Sequence, residues 1–441
     1  MNHNDIRYPE QSEHSEALYE RALRVLPSGN SRQTVFFRPF PIYAASGDGF
    51  RVVDVDGVER IDFINNYSAL IHGHRPKRVM DAVADQLTRL TAVGLPTESE
   101  IALAELLVER LPGVEQVRFA NSGTEAVMMA IKAARAYTRR PKIAKVEGTY
   151  HGSYDFAEVS QNPLPSEWGP ADRPASAPNY EGQPPSTLAD VVVLPWNNVP
   201  AARALLLEHA SDLAGVLIDA LPSRMAYVPV AADYLKMIRD TTREIGALFI
   251  LDEVYSLRFG YHGAQGTLGV TPDLTSMGKI IGGGFPVGGI GGSRDVMSVF
   301  DVDKGRPRVP HGGTYNANPV TMVAGLESMK MLTPDAFDHL NRLGERMRQG
   351  LRECLKIAGR DGQARGQASF CLLSLYGEPI TAYRDLMGAA KFVEAQAKLH
   401  RHLMNNGVFT SPTLSFTMST PMTDREIDFT LEQVLTGLRA L

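Results

Sequence analysis

The sequence predicts an α/β protein: a mostly parallel central sheet covered by helices on both faces, joined to a small α+β lobe. From Val117 onward, short apolar runs alternate with helical stretches, the order that repeated strand–helix units produce. Ahead of that stretch lie short segments of alternating polarity, and residues 334–441 mix helix with strand. Together these suggest residues 76–333 as a large domain. Residues 1–75 hold an N-terminal segment and part of the small lobe, and residues 334–441 the rest of it.

Taken in order, His14–Leu26 places Ala17, Leu18, Ala22 and Leu26 at helical spacing and stops at Pro27. A turn through Arg32 leads into the aromatic segment Val35–Pro41. Ile42–Asn65 alternates apolar and polar residues and breaks at Gly47-Asp48-Gly49 and Asp56-Gly57, which predicts antiparallel hairpins. Asn65–His74 is a loop carrying Tyr67, His72 and His74. No acid or cysteine beside the two histidines completes a metal site, so they are expected to pack and hydrogen-bond locally, with no metal. Pro76–Leu90 and Thr97–Leu111 read as helices, the second opened by a Thr97-x-x-Glu100 capping box. The alternating region then runs through VRFA, a helix over Thr124–Tyr137, KIAKV, DVVVL, a helix through Leu207, GVLI, a helix over Ala231–Ile245, and ALFIL. Phe156–Leu188 interrupts it; the segment is long for a plain connection and is expected to be a functional surface loop or a subunit contact. Helices over Asn318–Leu332 and Pro334–Leu355 follow. The chain closes with a strand at Gln367–Leu375, a helix at Lys391–Asn405, a strand at Thr413–Met418 and a helix at Thr423–Leu438.

Composition narrows the function classes. With 441 residues the chain can bury a large core, and 44% hydrophobic against 22% charged is ordinary for a globular protein. A net charge of -5 offers no polybasic face for nucleic acid. No apolar run approaches the ~20 residues of a membrane span, and Met1–Glu16 has no apolar core, so neither a membrane anchor nor a signal peptide is expected. Two cysteines, Cys354 and Cys371, make no disulfide framework, which points to a reducing cytoplasm.

The chemistry gathers at strand ends. Asn121-Ser122-Gly123-Thr124-Glu125 joins the strand Val117–Ala120 to a helix, and first-turn amides with the Ser122 and Thr124 hydroxyls suit a single phosphate. Ser122-x-x-Glu125 reads equally as a capping box. Tyr150, in Glu147–Gly152 after KIAKV, could stack on a planar ring, although a lone tyrosine is as readily core or surface. Asp219 and Asp252 close the buried runs GVLI and ALFIL, where open α/β sheets bind ligands. A buried acid needs a partner, and a protonated pyridine nitrogen would supply one for Asp252. Lys279 sits between Gly278 and the run Gly282-Gly283-Gly284, a setting that calls for tight backbone rather than a free surface lysine. Phosphate nest, stacking aromatic, strand-end acid and glycine-set lysine together are what a pyridoxal phosphate site needs.

As a set, NSGTEA at 121–126, YHG at 150–152, DEV at 252–254, TPDLTSMGKIIGGGFPVGGIGG at 271–292 and HGGTYNANP at 311–319 resemble the class III aminotransferases of fold type I. The likeness runs from about Leu18 to the C-terminus, and the group holding glutamate-1-semialdehyde aminomutases and β-amino-acid transaminases is the most similar. The resemblance implies a fold-type I pyridoxal 5'-phosphate-dependent transferase. It makes Lys279 the Schiff-base lysine and Asp252 the acid on the ring nitrogen. Val254 and Tyr150 would lie on the two ring faces, with Ser122, Gly123 and Thr124 at the phosphate and His151 and Asp219 nearby. Thr314 would reach the phosphate of a neighbouring subunit, which implies a homodimer with shared active sites. Two departures bear on substrate. The family's Glu-Pro-Val reads Asp219-Ala220-Leu221, and after DEV the chain has Tyr255-Ser256-Leu257-Arg258-Phe259, with the arginine one place early. That spacing is similar to transaminases acting on β-phenylalanine-like compounds. In that group Arg32 matches an arginine proposed for the substrate carboxylate and Tyr67 an aromatic of the same pocket; Arg258 is the alternative clamp. By residue type alone Arg32 also reads as a solvated arginine. The activity so implied is amino transfer between an amino acid, aromatic β-amino acids included, and a keto acid, with an intramolecular aminomutase as the alternative.

Overall fold

The computed structural model describes residues 7–303 and 305–441, so residues 1–6 of the N-terminal segment lie outside it. Three short strands come first: β1 (Ala44–Asp48), β2 (Arg51–Asp54) and β3 (Glu59–Asp62), paired antiparallel as their broken alternation predicts. The central strands are β4 (Gln116–Ala120), β5 (Lys142–Val146), β6 (Val191–Leu194), β7 (Leu213–Asp219), β8 (Leu248–Asp252), β9 (Leu274–Gly278) and β10 (Gly288–Gly292). They lie in the order β4-β10-β9-β8-β7-β5-β6, with β10 antiparallel to both neighbours and every other pairing parallel. The chain ends with β11 (Gln363–Arg365), β12 (Phe370–Ser374), β13 (Val408–Phe409) and β14 (Ser415–Thr417).

Strands β7 and β8 are wholly buried, and their period of two feeds two different cores. Leu217 and Ile250 meet Val127, Ile131 and Ala134 of the helix Gly123–Thr138 on one face. Val216, Phe249 and Leu251 meet Leu206, Tyr234 and Ile238 on the other. Helices on both faces explain why these strands read as unbroken apolar runs rather than as alternation. The chain ends meet in a second unit: β13 adds to β3 in parallel, and Tyr8 and Phe40 pack on Met404.

Three local expectations are corrected or completed by the structure. Thr97 precedes the helix Glu98–Arg110 but makes no capping bond, because its hydroxyl pairs with Ser99 Oγ at 3.1 Å. Strand β10 goes unread in the sequence, since four of its five residues are glycine and strands are poor in glycine. Here the glycines are steric. A Cβ on Gly288 would strike the Ser122 carbonyl, and one on Gly291 would come within 2.7 Å of Val114. The segment 156–188 is a surface loop with short helical turns, drawn onto the C-terminal residues by Arg384. That guanidinium binds the Glu147 carboxylate at 2.8 and 2.9 Å and the carbonyls of Trp168 and Gly169.

Candidate active site

The C-terminal ends of adjacent parallel strands converge on one cleft. Asp219 of β7 and Asp252 of β8 are register partners, so two carboxylates stand side by side. Lys279 follows β9 directly, with φ 49°, a left-handed conformation costly for a lysine and held by the glycines around it. It is the kind of local strain that marks a functional position.

Asp252 has three hydrogen-bond donors: His151 Nδ1 at 2.7 Å, Ser276 Oγ at 2.8 Å and the Val254 amide at 3.1 Å. Burial pushes its carboxyl up, but these donors outweigh burial and hold it below the ordinary range. Burial lowers the His151 imidazole, so a neutral ring donates Nδ1–H to the acid and its buried Nε2 has no partner among the described residues. Asp219 accepts the Leu221 amide at 2.9 Å; burial first, then the Asp252 charge, push it up to about 7. Burial lowers the Lys279 amine, and the two carboxylates draw it partly back.

The phosphate-type nest is formed at the start of the 16-residue helix Gly123–Thr138. Ser122 Oγ accepts the Glu125 amide at 3.2 Å, while the Glu125 carboxylate takes the Asn121 amide at 2.7 Å, so the reciprocal bond falls one residue earlier than a capping box requires. The amides of Gly123 and Thr124 have no intrahelical acceptor and face outward as anion donors. Gly123 must be glycine: a Cβ would lie 2.8 Å from Val254 Cγ1. A Cβ on Gly278 would also lie 3.3 Å from that valine, so Gly123, Val254 and Gly278 are mutually packed. Tyr150 stands at the cleft 42% exposed, with the Arg224 guanidinium 5.2 Å from its ring centre. A flat, anionic cofactor bearing a basic ring nitrogen and an aldehyde fits this donor set. It finds free amides, an ionised buried acid, a valine beside the nest, an exposed aromatic and a buried amine of lowered proton affinity.

The substrate candidates are distributed otherwise. Arg32 is exposed, and its side chain donates to Asn66 Oδ1 at 2.8 Å. Tyr67 donates its hydroxyl to the Thr34 carbonyl. Asn65, Asn66, Tyr67 and Ser68 all have positive φ, a left-handed turn that no periodicity reports. Arg258, the alternative clamp, is engaged elsewhere. It is fully buried and each of its nitrogens donates to protein: Nε to Ser369 Oγ at 3.0 Å, one terminal nitrogen to the Ser68 carbonyl at 2.9 Å, the other to the Met418 carbonyl. It serves as a strut under the turn that carries Asn66. Thr314 sits exposed in the loop before the helix Pro319–Met331, two residues from Asn316, which accepts from Asn121 at 2.8 Å. His72 bonds Thr420 and the Ser328 carbonyl, and His74 bonds Asp62.

Sequence reading missed Ser276, Tyr227 and Phe370. A polar residue inside the buried strand β9 was a usable signal for Ser276. Tyr227 and Phe370 carry none, because they reach Tyr255 only through the folded chain: Phe370 stacks on Tyr255 at 4.2 Å and Tyr227 bonds its hydroxyl at 2.5 Å.

The family model for class-III aminotransferases matches residues 34–433. The chain is 38% identical over 432 residues to a glutamate-1-semialdehyde 2,1-aminomutase of Methanothermobacter thermautotrophicus, covering 96% of this chain and 99% of that one. Among solved structures it is similar to an omega-transaminase from Sphaerobacter thermophilus, with TM-score 0.94 and 51% identity over 96% of this chain and 97% of the other. It is also similar to a beta-phenylalanine aminotransferase from Variovorax paradoxus, with TM-score 0.87 and 33% identity over 97% and 94% of the two chains. The chain therefore belongs to the class-III aminotransferases, enzymes of fold type I that work with pyridoxal phosphate.

Proposed function

We propose that this enzyme transfers an amino group from a β-amino acid, aromatic ones included, to a keto acid. The observation that carries the reading is the aromatic wall beside the lysine: Tyr255, backed by Phe370 and Tyr227, lies next to the Lys279 amine. Such a wall suits an aryl side chain better than the short polar chain of a semialdehyde. Arg32 supports it as the carboxylate clamp, with terminal nitrogens left for a bidentate pair and Asn66 to orient it.

When bound, pyridoxal phosphate supplies the electron sink for a carbanion at the carbon bearing the amine. The protein's own residues do the rest. Lys279 would hold the cofactor covalently, and its amine, when free, would move the proton as base and then acid. Asp252, kept ionised by His151, Ser276 and Val254, would hold a proton on the ring nitrogen. Gly123, Thr124 and Ser122 would hold the phosphate, and Val254 and Tyr150 would confine the ring. We further infer a homodimer in which Thr314 completes the phosphate site of the partner, and a cytoplasmic setting, in keeping with two buried, unpaired cysteines. Among the described residues no helix is long and apolar enough to cross a membrane. The domain limits read from the sequence stand as part of this proposal.

An intramolecular aminomutase is the second reading, favoured by the 38% identity to an enzyme of that name. The decisive experiment offers aromatic and aliphatic β-amino acids, α-amino acids and glutamate 1-semialdehyde separately and follows the cofactor's absorbance. Release of a distinct keto product, with renewed turnover only after a keto acid is added, supports transamination. Isomerisation of the semialdehyde with no added acceptor, and no response to β-amino acids, overturns it.

A further inference from the structure

The wall beside Lys279 is layered. Tyr255 and Phe370 stack with centroids 4.2 Å apart and planes 16° apart. The Arg258 guanidinium lies over Phe370 at 5.1 Å, and the Lys279 amine lies 5.2 Å from the centre of the Tyr255 ring. The amine therefore lies over the same ring that Phe370 stacks on and Tyr227 flanks. The Tyr255 hydroxyl is engaged by Tyr227 at 2.5 Å. Burial holds both phenols above their ordinary range, Tyr227 at about 12, so neither ionises at working pH. What Tyr255 offers the lysine is a neutral ring face.

The charged groups facing the amine are Asp252 and Asp219, with His151 bound to the first. Strands β9 and β10 bring no ionisable side chain. On the helix Pro319–Met331, Glu327 binds both Lys330 and Arg78, away from the cleft. The ring quadrupole thus joins two carboxylates in favouring the protonated amine, against burial.

We propose that the ring of Tyr255, stiffened by Phe370 and Arg258, is the seat on which the Lys279 amine rests whenever it is not joined to the cofactor. Tyr255 is then a positioning residue for the proton transfers of that lysine. The inference rests on reading Lys279 as the cofactor-bearing lysine, which borohydride trapping tests by itself: a holoenzyme that yields no adduct on Lys279 ends that reading.

Trace acetylation of Lys279 across pH, in the full chain freed of cofactor and read by peptide mass spectrometry, reports the amine's midpoint without turnover. Tyr255→Phe keeps the ring face and leaves the midpoint in place. Tyr255→Leu removes the face and lowers the midpoint by about half a pH unit, the size of a lost cation–π attraction. Tyr255→Met repeats the test with a side chain that adapts to the space if the leucine variant fails to fold. A midpoint unmoved by Leu and Met, or moved as far by Phe, overturns the seat while leaving the trapped adduct intact. A second readout is the kinetic isotope effect with a donor deuterated at the carbon bearing the amine. It rises in the Leu variant and stays at the wild-type value in Tyr255→Phe. A slower Leu variant with an unchanged isotope effect makes Tyr255 a pocket wall only and equally overturns the proposal.

Discussion

At the cofactor end of the cleft, Asp219, Asp252 and Lys279 project from neighbouring strands of one sheet. The proposed substrate end draws on Arg32, Asn66, Tyr255 and Phe370, which come from four segments spread along the chain. The first end is rigid because β7, β8 and β9 are buried on both faces and the acid has three donors. The second depends on a left-handed turn at 65–68 and on a buried arginine beneath it. Chemistry common to a family can sit on strand ends, where register sets distance. Substrate choice sits where segments from different elements meet, so it can change without disturbing the sheet.

The largest expected effect breaks the cofactor end. In the proposed mechanism Lys279→Ala removes both the covalent attachment and the proton carrier, and turnover should fall by at least about 10⁴-fold. Pyridoxal phosphate should still bind, but borohydride followed by peptide mapping should find no adduct at residue 279. Undiminished transamination by this variant would end the assignment of Lys279.

The two arginines separate the ends next. Arg258→Leu leaves the Ser68 and Met418 carbonyls buried without donors and should cost about 3 kcal/mol of stability in denaturant unfolding. Arg32→Leu is at an exposed position and should leave stability within about 0.5 kcal/mol. It should instead raise KM for carboxylate-bearing donors by roughly 10–100-fold, the range of a lost charge-assisted pair. If Arg258→Leu raised KM with stability intact, the strut and the clamp would have to exchange places.

A smaller effect follows from the acid next to Asp252. Glu253 is fully buried, and burial raises it from the usual 4.5 to about 7, against the bonds it accepts from Ala264 and Gln265. The folded chain then holds a proton that the unfolded chain has released. Between pH 4.5 and about 7 the folded state binds more protons, so this group's contribution to stability falls as pH rises. Glu253→Gln should flatten that part of the stability–pH curve. A slope unchanged by the substitution would show that Glu253 is ionised in the fold throughout this range.

How much of this was legible in the sequence follows the same division. Strands β5 to β8 and the acids at the ends of β7 and β8 could be read because burial on both faces writes a continuous apolar run. Lys279 could be read from its glycines. Strand β10 could not, since its glycines answer to Ser122 and Val114, far off in sequence. The true surroundings of Arg258 were equally hidden, because spacing after the DEV motif says nothing about the carbonyls of Ser68 and Met418. Nor could the turn at 65–68 be foreseen, as four successive residues of positive φ include no glycine.

The smallest effect tests whether identical local signals carry identical weight. Ser122-x-x-Glu125 and Thr97-x-x-Glu100 are both capping-box patterns, each directly ahead of a helix. At the first, Ser122 Oγ takes the Glu125 amide, and Glu125 in return holds the Asn121 amide beside the phosphate nest. At the second, Thr97 turns to Ser99 and caps nothing. Loss of a working cap costs about 1 kcal/mol, so Ser122→Ala should lose about that much stability. Thr97→Ala should lose less than about 0.5 kcal/mol, the range of a surface change that removes no cap. Urea unfolding of both variants decides it. Equal losses would mean that Thr97 caps its helix in solution, and that the local pattern alone, without the cofactor site built on it, is enough to form the bond.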